Sequence, residues 1–196
     1  MLQRVLASLV IASAILLGTA PLFEFEARYP SRFGAIQDED GFPIDCGVSV
    51  QRVFLTLTNA NEYTRWNTFT TNVRGTIEEG ESVFLNVTLD YPFVGKISSE
   101  YPFYVTEMTS SVTTKYRNAS AILCWSAQLV PKMLQRHILN TRRCMRLKSD
   151  RDGIVRFMQW DTNRGFLAPS VGLLFGRAIE AGFRTMAHDL YKEVCL

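Results

Sequence analysis

Histidine is scarce in this chain: the 196 residues include two, His137 and His188, too few for a histidine-rich metal centre. The four cysteines, Cys46, Cys124, Cys144 and Cys195, include no CxxC pair, so a zinc ribbon and thioredoxin-like chemistry lack their ligands. No GxSxG elbow, phosphate-cradling glycine loop or HExxH pattern occurs. Nucleophilic, phosphoryl-transfer and zinc chemistry are without sequence support, and no motif points to a cofactor. A strong charge of one sign is also missing, since 21 basic and 19 acidic residues leave a net +2. That balance argues against a nucleic-acid partner, which calls for a basic face interleaved with stacking aromatics. The densest basic run, Arg142-Arg143-Cys144-Met145-Arg146, alternates with apolar residues and reads as a strand.

What the chain does have begins with its N-terminus. Arg4 precedes an uncharged, mostly apolar run from Val5 to Leu17, followed by the small residues Gly18, Thr19 and Ala20. This is the layout of a secretory signal peptide, with a signal anchor as the competing reading because Pro21 is an awkward residue after a cleavage point. Residues 1–22 are therefore expected to be a signal peptide or membrane anchor, and residues 23–196 one domain that is secreted or held on a secretory-pathway membrane. Asn86-Val87-Thr88 and Asn118-Ala119-Ser120 satisfy the acceptor pattern for N-glycosylation, which suits that compartment.

The last third of the chain organises the rest. From Val171, the apolar residues Leu174, Ala178, Gly182, Met186, Leu190 and Val194 recur at helical spacing, opposite a polar stripe of Arg177, Glu180, Arg184, His188 and Lys192. Pro169 and Ser170 supply a start signal, with Ser170 as the cap. Upstream, Val50, Val53, Phe54 and Leu57 predict a helix ending at Asn59, and a second short helical piece spans Glu62–Asn67. Residues 24–47 read as irregular, with a first strand somewhere within Leu22–Gln37. Strands are predicted at Val73–Glu78, Val83–Leu89, Phe103–Thr109, Ala121–Leu129, His137–Lys148 and Ile154–Asn163, joined by short turns as in an antiparallel sheet.

Within this pattern, Tyr63-Thr64-Arg65-Trp66-Asn67-Thr68-Phe69 resembles the Y..WNPF segment of the START-like (SRPBCC) superfamily of polyketide cyclases and lipid-transport proteins, Bet v 1-like in fold. Gly75 to Gly80, Cys124-Trp125, and Arg156-Phe157 through Asp161 to Gly165-Phe166-Leu167-Ala168-Pro169 are similar to its later landmarks. The likeness covers about residues 48–196 and departs from the pattern at Thr68, usually proline, and at Asn163, often an aromatic. It implies an α+β helix-grip fold, a curved antiparallel sheet wrapped around a long C-terminal helix, with two short helices after the first strand. It further implies a cavity for an apolar partner such as a lipid, sterol, quinone or polyketide, either carried or, in a biosynthetic cyclase or isomerase of the same fold, converted.

Strand parity assigns residues to that cavity. Val155, Phe157, Gln159, Asp161 and Asn163 share one face, and Leu139, Thr141, Arg143, Met145 and Leu147 share another. A hairpin turning near Asp152 sets Arg143 beside Asp161, either as a group that orients a ligand oxygen or as a structural or solvent-facing ion pair. Leu123, Trp125 and Ala127 join the same face. Trp66 and Phe69 stand at the start of the sheet, and these aromatics also read as plain packing. The expected ligand set is thus Trp66, Phe69, Leu123, Trp125, Arg143, Phe157, Gln159 and Asp161. Asp161, Arg143 and Glu107 are the candidates for acid–base catalysis, with Tyr116 a further polar candidate. The same parity puts Cys124 and Cys144 together on the outer face, where a disulfide is in reach. Cys46 and Cys195 are then left to pair, which the resemblance supports by placing the two short helices at the far end of the closing helix. Reduced buried cysteines are the alternative.

Overall fold

The computed structural model describes residues 24–29, 41–91, 95–111, 119–129, 131–135, 137–150 and 152–196. Two strands, β1 (Glu24–Tyr29) and β2 (Phe42–Ile44), precede helix α1 (Val50–Thr58), a 3-10 turn at Ala60–Glu62 and helix α2 (Tyr63–Trp66). Strands β3 (Thr70–Arg74), β4 (Ser82–Tyr91), β5 (Gly95–Ser111) and β6 (Ser120–Ala127) follow. After a short helix α3 (Lys132–Gln135) come β7 (Asn140–Ser149), β8 (Val155–Arg164) and the closing helix α4 (Ala168–Cys195).

The strands form one antiparallel sheet in the order β1-β8-β7-β6-β5-β4-β3, and β2 shares the β8 edge with β1. The sheet's apolar face, the two short helices and α4 enclose a single core. This is the helix-grip architecture that the resemblance implies.

Local chemistry accounts for the elements. The helix-spaced residues Val50, Val53, Phe54 and Leu57 are all buried in α1, and the Ser49 hydroxyl caps it by accepting from the Arg52 N–H at 3.2 Å. The buried Asn67 amide oxygen accepts from the backbone N–H groups of Phe69 and Thr70, a tight turn that feeds the chain into β3. Thr68 donates both its N–H and its hydroxyl to Asp189 of α4. The departure from proline at this position therefore provides a backbone donor that proline lacks.

At the junction of β8 with α4, Gly165 has φ +120°, and a Cβ there would stand 2.6 Å from the Ile138 carbonyl oxygen. Only glycine fits that approach. The next two N–H groups, of Phe166 and Leu167, donate to the carbonyls of His137 and Ile138 and fix the angle at which the helix crosses the sheet.

Several local expectations are corrected. The predicted strand at Val73–Glu78 begins earlier, at Thr70, because the Asn67 turn starts the extended run, and it ends before Gly75. Strand β2 was not foreseen; it is three residues long and contains Pro43, tolerated on a β8 edge. Helix α4 opens at Ala168, with Pro169 in its first turn and no side-chain cap, so Ser170 lies inside the helix. Its buried stripe runs through Gly176, Ile179, Phe183, Met186, Ala187 and Leu190, while Leu174 of the expected stripe is 60% exposed.

The expected signal or anchor segment, Tyr116 and Asn118 lie outside the described residues. Among the described residues, no helix is long and apolar enough to cross a membrane.

Candidate functional site

The β7–β8 hairpin pairs Arg143 with Asp161 across the two strands. Arg143 Nε and Nη2 donate to the two Asp161 oxygens at 2.8 and 2.9 Å, a bidentate ion pair. Arg143 is 5% exposed and Asp161 2%, so the pair is buried on the concave face. The guanidinium carbon also lies 5.2 Å from the Phe69 ring centroid and 5.1 Å from that of Phe183, within cation–π range. Phe69 is held against α4 where Gly182 leaves room: a Cβ on Gly182 would meet the Phe69 ring at 2.2 Å. The buried Tyr63 hydroxyl donates to the Leu57 carbonyl at 2.7 Å. Burial pushes its pKa up, and the Arg143 charge offsets part of that rise.

Sheet and helix diverge toward the N-terminal half of α4 and leave a cavity of about 500 Å³. Its walls are mostly apolar, with Tyr101 and Phe103 from β5, Ala127 from β6, and Val171, Phe175 and Ile179 from α4. Thr141, Arg143, Asp161 and Asn163 gather into one polar patch on the β7–β8 wall, apart from Ser170 of α4. The rim carries Leu129 and Leu174, both exposed, and Leu173 beside them is 87% exposed.

Four side chains near this patch hold polar atoms with no hydrogen-bond partner among the described residues: Trp125 at Nε1, Arg143 at Nη1, Gln159 at both amide atoms, and Asn163 at Nδ2. Buried polar groups are normally paired, so this concentration on adjacent strands is unusual.

Of the expected ligand set, the structure brings Arg143 and Asp161 to the cavity wall. Leu123, Trp125, Phe157, Gln159, Trp66 and Phe69 do not line it and are packed in the core instead. The C-terminal half of α4, with α1 and α2, fills that part of the concave face, and the cavity lies at the other end. Glu107 is also corrected. A β-bulge between Val105 and Glu107 adds one residue to β5 and turns Glu107 to the outer face, opposite Cys124, where it pairs with Arg142 at 2.7 Å. Tyr101 and Phe175 went unrecognised as wall residues. Continuing the alternation of Phe103 and Val105 back by two residues would have found Tyr101.

Cys124 and Cys144 are directly opposed on β6 and β7 and joined by a disulfide, and a second joins Cys46 to Cys195 at the end of α4. Asn86 lies on the outer side of β4, partly buried. His188 is exposed and meets the Phe42 ring edge-on at 5.0 Å. Among the described residues there is no cluster of side chains suited to a metal ion.

No protein-family model matches the chain, and no curated protein matches it in sequence. Among solved structures it is similar to a hypothetical protein from Helicobacter pylori, at 9% identity over 89% of this chain and 88% of that one, with a TM-score of 0.54. That likeness is one of fold alone. Norcoclaurine synthase from Thalictrum flavum aligns at 11% identity over 89% of this chain and 86% of its own, with a TM-score of 0.43. The di-domain ARO/CYC StfQ from the steffimycin biosynthetic pathway aligns at 11% identity over 89% of this chain, which spans 50% of StfQ, with a TM-score of 0.48.

Proposed function

We propose that this chain binds a hydrophobic small molecule, of the size of a lipid tail, sterol, quinone or polyketide, between the sheet and the N-terminal half of α4. The carrying observation is the cavity itself: about 500 Å³, mostly apolar, with its polar groups largely gathered in one buried patch. Volume and polarity both fall in the range of small-molecule sites. Arg143 and Asp161 are the polar contacts of the ligand in this reading, and Tyr101, Phe103, Ala127 and Phe175 its apolar ones.

The competing reading, a cyclase or isomerase on the same fold, has less support. Both oxygens of Asp161 are engaged by Arg143, and Glu107 faces outward, so neither is a free general base at the cavity. Two disulfides suit an oxidising compartment, which agrees with entry into the secretory route through residues 1–22 and with glycans on Asn86 and Asn118. Any membrane contact is assigned to that N-terminal segment.

Native mass spectrometry of the protein from its own host is the test. A stoichiometric apolar compound that is lost in Ala127→Trp, which fills the cavity, supports binding. An empty protein that takes up no lipid, quinone or polyketide from a panel overturns it.

A further inference from the structure

If the cavity binds a small molecule, as proposed above, its polar patch decides which chemical class is accepted. Arg143 spends Nε and Nη2 on Asp161, and its Nη1 is buried without a partner among the described residues. The Thr141 hydroxyl donates to Asn163 Oδ1 at 2.7 Å, which uses the acceptor end of that amide and leaves Nδ2 unpartnered among the described residues. Asn163 is 1% exposed, and both it and Arg143 line the cavity. Each of these two side chains therefore keeps an unspent donor.

The patch is also neutral. Among the described residues, Arg143 and Asp161 are the only charged side chains on the wall, and they cancel. A carboxylate entering here would bring a third, uncompensated charge into a buried site, which costs far more than a hydrogen bond returns. A carbonyl oxygen has two lone pairs, no hydrogen and no net charge, and it matches what the patch offers.

We infer that the cavity selects an uncharged carbonyl compound, a ketone, ester or quinone, whose oxygen accepts from Arg143 Nη1 and Asn163 Nδ2, and that it rejects free carboxylates. Asp161 sets this preference by neutralising the guanidinium that would otherwise attract an anion.

The experiment uses the delipidated full chain loaded with Nile red, a neutral dye, and displaces the dye with methyl decanoate, decanoate or decane at about pH 8, where carboxylic acids are ionised. Methyl decanoate is expected to bind about tenfold or more tightly than either of the others, the worth of one satisfied buried donor. Asp161→Asn is expected to reverse the order of ester and carboxylate. Asn163→Leu, which disturbs no charge, is expected to weaken the ester about tenfold and leave decane unchanged, and it keeps the inference testable if Asp161→Asn does not fold. Equal or tighter binding of decanoate by the unsubstituted protein, or ester binding untouched by Asn163→Leu, overturns the inference while leaving the cavity reading intact. Failure of the dye and all three compounds to bind overturns both.

Discussion

Replacing Arg143 by methionine isolates the energetics of the buried pair. The change keeps much of the apolar stem beside Phe69 and Phe183, but it strands the Asp161 carboxylate at 2% exposure with neither of its two hydrogen bonds from the guanidinium. Leaving one member of a buried ion pair unmatched costs about 3–5 kcal/mol. Set against a total stability of about 5–15 kcal/mol, that is a large share, so the urea midpoint should fall steeply. Adding Asp161→Leu removes the stranded charge, and the double variant should return to within about 1 kcal/mol of the original or exceed it. Unfolding followed by tryptophan fluorescence with both disulfides intact, with Asp161→Leu alone as the fourth corner, completes the cycle. A loss below about 1 kcal/mol in Arg143→Met, the range of an exposed ion pair, would refute the reasoning by showing that water reaches Asp161. A double variant that is stable yet binds no ligand would show that the pair is kept for recognition and not for folding.

Other substitutions probe the frame around the site. Gly182→Ala gains up to about 1 kcal/mol in helix propensity but drives a methyl group into the Phe69 ring, and overpacking of about 1–3 kcal/mol should win, seen as a lower Tm. Removing the Cys46–Cys195 bridge, with its sequence separation of 149, should cost about 5 kcal/mol by loop-closure entropy, against about 3 kcal/mol for Cys124–Cys144 with a separation of 20. Calorimetry on the two double-serine variants checks that order. Desolvation raises the Asp150 pKa, but the N–H groups of Ile154 and Asp152 and the Arg156 side chain together hold it below the ordinary carboxylate value. Its contribution is therefore complete above about pH 4 and lost as pH falls through the lowered value, so Asp150→Asn should flatten the acid side of the stability–pH curve.

The hairpin that carries the polar patch was legible in the sequence because β7 and β8 pair without a bulge and their turn is marked by Asp150–Gly153. A turn near Asp152 then set Arg143 beside Asp161, and parity placed Thr141 and Asn163 on the same face. Parity failed at Glu107 because a bulge adds one residue without altering the residue pattern around it. The position of the cavity was not legible either. Leu123 and Tyr101 both belong to the concave face, and only the paths of the helices across it decide that Leu123 is buried in the core while Tyr101 lines the cavity. The path of α4 depends on the Gly165 junction, on Thr68 gripping Asp189 and on glycines receiving aromatic rings. The sequence shows these residues but not their partners.

Those attachments differ at the two ends of α4. Near its C-terminus the helix is bonded to Cys46, whereas near its N-terminus it is tied to β8 through the Gly165 junction, and Gly172 and Gly176 rest on the Phe25 ring of β1. Mechanically this is a beam of roughly 42 Å clamped at both ends. The cavity beneath it therefore has a fixed span, and the side chains free to rearrange at its mouth are the exposed Leu173 and Leu174.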